Sequence, residues 1–396
     1  MSQCLLIVSA FYPPERGAAP SRIANTARQM NERGWDVKVV TYMPSYPTGS
    51  VFKEYKGKFT LLETLAGMDC KRVWSVPSNS NNPFVRVISM FTQTVSLILS
   101  VNYIRRVKPD LVLIQTPPLL SAFGMTWICR ALKLPYIANV SDIWPLTALE
   151  LGVVKKGFSY SIFEKMEASV YKGASGLVAQ SEETQRYLNE RTDKPILLYR
   201  NLPIVSEQAV AKAAPAPPQP RKIVYAGLLG LAQNVRHICE SVDFDALGVE
   251  FHIYGDGVQR EAIAKIAHQK TGIHLHDSVH PEVLRTLLPD FDATIISLSS
   301  QITGAFPSKI YMALSVPLPI IYSGDGDGYR MIQELGLGWV SKAGDNSALL
   351  HNLVQFSKMP DAELTTLKTT IKTINAQHFN FAEEQDKLHH NLSQFI

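Results

Sequence analysis

The sequence predicts an α/β protein of two tandem domains, and three observations carry that reading. The chain has 396 residues, more than one hydrophobic core usually holds. An apolar strand running into a glycine-bearing turn occurs twice, at Cys4-Leu-Leu-Ile-Val-Ser9 with Gly17 and at Arg221-Lys-Ile-Val-Tyr-Ala-Gly227. Between the two, residues 206–220 combine alanine and proline without periodic apolar positions, as in an extended connector. The expected boundaries are 1–205 for the first domain, 206–220 for the linker, 221–375 for the second domain and 376–396 for a C-terminal helix.

Composition narrows the class. Charged residues are 19% and hydrophobic residues 46%, which suits a packed core and argues against disorder. The net charge of +4 allows an anionic ligand or an acidic membrane surface. It is too weak and too dispersed for a nucleic-acid binder. Cys4, Cys70, Cys129 and Cys239 lack metal or redox spacing and read as reduced. The alternating His274 and His276, with His280, fit either strand-borne ligands or a mixed sheet edge, and no metal is expected. No secretory signal opens the sequence, so the expected location is the cytoplasm, peripheral on the inner face of the plasma membrane.

In chain order, residues 4–9 and 35–41 read as parallel strands around a helix at 21–33. Gly17, followed by two alanines, would let a ligand approach the backbone, or would serve only as turn chemistry. Residues 84–106 crowd Val85, Ile88, Phe91, Val95 and Ile98 onto one helix flanked by Arg105 and Arg106. They fit a core helix or an interfacial helix that touches anionic lipid. Strands at 110–115 and 135–140 follow, and Asp142-Ile-Trp-Pro145 lies just past the second, where open α/β sheets place ligands. A carboxylate there could take a proton from a substrate hydroxyl, with Trp144 facing a sugar ring or lipid; equally, it could cap backbone amides.

The second half repeats the alternation: strands at 221–226 and 249–254, a helix at 259–269, then Ile273-His-Leu275 and a helix at 281–288. A strand at 292–298, a loop at 301–306 and a helix from Pro307 to Leu314 lead to a strand at 319–322. That βαβ unit points a helix N-terminus and Lys309 at the sheet's carboxyl edge, as an anion site or as a core helix with a solvated lysine. Residues 323–329 are glycine-rich and acidic and read as a flexible loop, neither a calcium loop nor a phosphate cradle. Helices at 347–357 and 361–374 precede an amphipathic tail at 381–395.

Phe11-Tyr-Pro-Pro-Glu-Arg-Gly17, Asp142-Ile-Trp-Pro145, Tyr225-Ala-Gly-Leu-Leu-Gly-Leu-Ala-Gln233, Tyr254-Gly-Asp-Gly257 and Pro307-Ser-Lys-Ile-Tyr311 occur in this order. In these motifs the chain resembles glycosyltransferase family 4, particularly its bacterial surface-polysaccharide members, over nearly its whole length. The resemblance implies the GT-B fold, two Rossmann-like domains facing each other across a cleft, with the C-terminal helix packing back on the first. It implies a retaining transfer from a nucleotide sugar, most simply a UDP-sugar, to a lipid-linked or polysaccharide acceptor. The donor would meet Gly17, Gly227, Gly230, Gln233, Val279, Glu282, Pro307, Ser308, Lys309 and Met312. The acceptor would meet Glu15, Arg16, Arg22 and Trp144. Asp142 and Lys309 would be catalytic, and no metal or further cofactor is implied.

The family's pattern is not complete here. Its two glutamates, separated by seven residues, correspond to Gly304 and Met312, and the basic pair after the first glycine loop of the second domain is replaced by Leu231-Ala-Gln-Asn-Val235. Two functions therefore remain in view: a transferase, or a non-catalytic GT-B subunit that scaffolds a partner glycosyltransferase.

Overall fold

The computed structural model describes residues 2–46, 48–78, 83–203 and 220–396. Residues 206–219 of the expected connector lie outside that description. The chain forms two compact units. One comprises Met1–Asn201, Thr303–Ala305 and Ala382–Ile396; the other comprises Leu202–Ile302 and Phe306–Phe381.

The first unit is built on an eight-stranded sheet. Its strands are β1 (Cys4–Val8), β2 (Asp36–Tyr42), β3 (Thr60–Leu65), β4 (Met68–Val73), β5 (Leu111–Thr116), β6 (Tyr136–Val140), β7 (Gly176–Ala179) and β8 (Ile196–Leu198). They lie in the order β3-β4-β2-β1-β5-β6-β7-β8, and only β3 runs antiparallel to its neighbour. Alternate residues of β1 face opposite cores: Leu6 and Val8 join one hydrophobic cluster, Leu5 and Ile7 another. Burial on both faces is why these strands read as continuous apolar runs. The C-terminal helix Phe381–Ser393 covers one face through Leu388 and Leu392. There Trp35 donates to His389 Nδ1 at 2.9 Å and Gln385 donates to the Tyr199 hydroxyl at 2.7 Å.

The second unit has six strands, β9 (Arg221–Ala226), β10 (Val249–Tyr254), β11 (Ile273–His276), β12 (Ala293–Ser297), β13 (Ile320–Ser323) and β14 (Gly338–Ser341). All are parallel, in the order β11-β10-β9-β12-β13-β14. Here too the sheet separates two cores, with Ile223 and Tyr225 in one and Val224 and Ala226 in the other.

Three local features depart from the sequence reading. The hairpin β3–β4 carries none of the usual Asn-Gly signal; its two-residue turn is Ala66-Gly67, both at positive φ (49° and 80°). The apolar stretch expected as one helix at 84–106 is three pieces, Pro83–Ser96, the 3₁₀ turn Leu97–Ser100 and Val101–Val107. At the breaks, Ser96 and Ser100 donate their hydroxyls to the carbonyls of Gln93 and Leu97 three residues back, which favours a tightened turn. The segment 323–329 is not a flexible loop: the helix Gly326–Glu334 begins inside it, and Asp327 is buried and paired with Arg330. A Cβ on Gly324 or Gly328 would lie 2.8 or 2.7 Å from the Tyr322 hydroxyl, so these glycines make room for a buried phenol.

Candidate functional site

In the second unit β9 runs into Gly227, whose φ of +142° excludes most side chains. Its amide donates to the Tyr254 carbonyl at 2.8 Å, and Leu229 donates to the Asp256 carbonyl at 2.8 Å. The glycines of the second loop allow this stacking, since a Cβ on Gly255 would lie 2.1 Å from the Gly227 carbonyl oxygen. The Tyr254-Gly-Asp-Gly257 motif thus supports the first loop from beneath.

Lys309 reaches back over this loop. Its Nζ lies 3.8 Å from the centroid of the Tyr225 ring, and a Cβ on Gly227 would fall 2.6 Å from Lys309 Cε and Nζ. Tyr225 is itself fully buried, with its hydroxyl donated to the Leu228 carbonyl at 2.6 Å. The lysine as a residue is half-buried; its ammonium is the enclosed end, and loss of solvent lowers its pKa to about 7. Among the described residues no carboxylate pairs with it. An enclosed ammonium beside a glycine loop, lacking a fixed counter-charge, is suited to an anionic ligand.

The other expected donor residues are placed unevenly. Gly230 lies against Gln233, whose Oε1 is buried without a hydrogen-bond partner among the described residues and would be 2.6 Å from a Cβ on Gly230. The helix runs Lys309–Ser315, two residues later than expected, so exposed Ser308 is its N-cap and Pro307 precedes it, accepting from the Ile310 amide at 3.0 Å. Val279 packs on a hydrophobic cluster, and Glu282 is exposed, 3.9 Å from His280 Nδ1. Met312 is half-buried against that same cluster, so apolar packing stands where the resemblance places a ribose-binding carboxylate.

In the first unit Asp142 follows β6 and faces Arg22 on the helix Ala18–Glu32. Burial raises the Asp142 pKa and lowers that of Arg22, and each charge partly offsets the other's shift. Arg22 Nη1 donates to Gln180 Oε1 at 2.9 Å, while its buried Nε has no hydrogen-bond acceptor among the described residues. From Gln180 the bonds continue across the strand ends: Gln180 to Asn139 Oδ1 (3.3 Å), Asn139 to Gln115 Oε1 (2.8 Å), and Gln115 to Ser141 Oγ (2.7 Å). This network was not anticipated from the sequence. Its signal was a polar residue closing each of three apolar strands.

The other expected acceptor residues have different surroundings. Glu15 is buried and its carboxylate accepts from the amides of Ser45, Tyr46 and Tyr12 at 2.9, 2.9 and 3.1 Å, which fits a loop brace better than a ligand contact. Burial raises its pKa against those three bonds. Fully buried Arg72 braces the same loop, donating to the carbonyls of Pro13 and Tyr42 and to Glu63. Arg16 is exposed, and Gly17 caps the helix at a φ of 143° beside the Tyr46 ring. Trp144 stands edge-on to Phe163 with centroids 6.3 Å apart and packs on the core, so it is not an open stacking platform.

Two Rossmann-like units of mostly parallel strands form the GT-B fold. Residues 17–194 match the family model of the glycosyl transferase 4-like domain. The chain is similar to the probable glycosyltransferase WbjE of Pseudomonas aeruginosa, with 22% identity, covering 76% of this chain and 79% of the relative. It is also similar to the putative colanic acid biosynthesis glycosyl transferase WcaI of Escherichia coli K12, with 21% identity over 67% of this chain and 69% of the relative. Among solved structures, Anabaena HepE in complex with UDP and glucose superposes with a TM-score of 0.67 at 13% identity, covering 99% of this chain and 100% of that one.

Proposed function

We propose that this glycosyltransferase moves a sugar from a UDP-sugar to a lipid-linked or polysaccharide acceptor in cell-surface glycan synthesis, with retention at the anomeric carbon. The observation that carries the reading is the enclosed ammonium of Lys309 beside Gly227. Fold similarity to a structure holding UDP and glucose supports the donor, and sequence similarity to a colanic acid transferase supports the acceptor class. In this reading Lys309 stabilises the departing diphosphate. The leaving-group phosphate takes the acceptor proton on the same face, and Asp142 with Arg22 positions the acceptor hydroxyl, so the transfer needs no metal. The lost ribose carboxylate at Met312 is offset by the diphosphate contacts.

The proposal extends to location. Ile88, Phe91, Val95, Ile98 and Leu99 are exposed along the helix Pro83–Ser96 and the turn after it, and Trp127 is 59% exposed. Arg105, Arg106, Lys108 and Arg130 are exposed in the neighbouring elements. Basic groups beside an apolar stripe suit an anionic membrane surface. No helix among the described residues is long and apolar enough to cross a membrane.

The test is thermal unfolding with UDP-, GDP-, ADP- and CDP-linked sugars. A donor at 100 times its dissociation constant should add about 2.7 kcal/mol of stability. Stabilisation by none of them would overturn the reading and favour a scaffold for a partner transferase.

A further inference from the structure

The strongest feature outside the donor site lies at the edge of the second sheet. The β10–β11 register sets His252 opposite His274 and Tyr254 opposite His276. Because side chains alternate, Glu250, His252 and Tyr254 share one face of β10, while Val249, Phe251 and Ile253 fill the core on the other. Glu250, His252 and His274 each offer one donor atom, and the three lie within 4.8 Å of one another.

Two further observations point to a ligand. The Nε2 of His274 is buried with no hydrogen-bond partner among the described residues, a state that costs free energy unless something accepts or binds it. Both ring nitrogens of His252 are engaged, Nδ1 at 3.0 Å from His276 Nε2 and Nε2 at 3.2 Å from Glu250 Oε2; a metal between Nε2 and the carboxylate would replace the proton there, with Nδ1–H donating to His276 as a metal-bound imidazole does. His276 is in turn fixed by stacking on Tyr254, with centroids 4.3 Å apart.

We infer that Glu250, His252 and His274 bind a divalent transition metal of the zinc class, which ties the edge strand β11 to β10. Two imidazoles and a carboxylate form a donor set for zinc, with water in the fourth position. Bond lengths of about 2.0–2.1 Å place tetrahedral donors about 3.3 Å apart, so the donors must draw together and the stacked His252 and His274 rings, 28° from parallel, must tilt toward a common point as the metal binds. Lys222 Nζ, 3.8 Å from Glu250 Oε2, is the counter-charge that the metal displaces. The site is independent of the sugar-transfer reading, and its expected effect is on the stability of the sheet edge.

The test uses the full-length untagged chain, stripped with EDTA and dialysed, then titrated with ZnCl2 by equilibrium dialysis and with CoCl2 by visible absorption. The expected result is one equivalent of zinc at micromolar free metal, a cobalt spectrum of tetrahedral type, and a zinc-dependent rise in melting temperature. His274→Ala and the milder Glu250→Gln should each abolish the cobalt spectrum, and His276→Gln should weaken binding about tenfold. The exposed His237→Ala should change nothing. Circular dichroism of the stripped variants establishes that they fold. Uptake below one equivalent in the unaltered chain, or full uptake by folded His274→Ala and Glu250→Gln, would overturn the inference.

Discussion

Lys309 is held between an aromatic face and a glycine: its Nζ is 3.8 Å from the Tyr225 ring centroid, and it occupies the space that any side chain at position 227 would need. The quadrupole of the ring partly compensates the ammonium for lost water. The remaining deficit is what an anionic ligand can make good.

Gly227→Ala should therefore act as a donor-site lesion. A Cβ there meets Lys309 at 2.6 Å and is strained at this φ besides. Calorimetric titration should show UDP binding weakened at least about tenfold, a loss of about 1.4 kcal/mol, with the melting temperature lowered as well. Lys309→Ala should weaken UDP much more than uridine; equal losses for the two would make the lysine structural.

The lowered pKa of Lys309 sets the pH dependence. As pH rises through about 7 the ammonium is lost, so UDP affinity should fall between pH 7 and 9, approaching tenfold per unit. In Lys309→Ala the profile over this interval should be flat. A wild-type affinity unchanged from pH 7 to 9 would contradict the assignment.

Glu167 gives a second pH signature, in stability. It is buried, accepts from the Tyr171 and Tyr187 hydroxyls at 2.9 and 3.1 Å, and burial raises its pKa from 4.5 to about 7. The folded state then holds a proton that the unfolded state releases, so stability should fall as pH rises from 4.5 to 7 and level off above. The contribution is on the order of 3 kcal/mol. Glu167→Gln should abolish this component, and urea unfolding of both proteins at pH 5 and pH 8 checks it.

Phe91 is 63% exposed and Ile98 is 64% exposed, on the stripe flanked by basic residues. Replacing both by Ser should sharply reduce co-sedimentation with anionic vesicles and leave UDP binding unchanged. High salt should weaken the wild-type attachment, by about 1 kcal/mol for each basic residue screened. Absence of co-sedimentation at low salt would count against the membrane proposal.

Met312→Glu probes the departure from the family pattern. The thioether packs on the second unit's core, so a carboxylate should lower stability by about 1–3 kcal/mol without tightening UDP. Met312→Leu should be nearly neutral. Tighter UDP binding by Met312→Glu would show that the position opens on the ribose site.

Much of the architecture was legible because parallel strands buried on both faces leave unbroken apolar runs. Leu5 to Val8 and Ile223 to Ala226 announce their strands by composition alone. The hairpin at β3–β4 was not legible, since Ala66-Gly67 supplies its turn without the expected residue pair and β3 has no fully buried residue. The glycines at 324 and 328 misled for a related reason. Glycine marks both conformational freedom and close approach, and only the position of Tyr322 distinguishes the two.

By itself the sequence determined the α/β class, the glycine loop at Gly227, the position of Lys309 two residues past Pro307, and the acidic turn at Asp142. These are local properties of strands, turns and helix starts. Only the tertiary structure decided that Lys309 folds back onto Tyr225, that Glu15 is consumed by backbone amides, that Gln115, Asn139 and Gln180 form one network, and that His252 meets His274. Each of these depends on strand register and on which face a side chain takes. Register is set by the packing of whole sheets, so residues far apart in sequence acquire their partners only when the cores close.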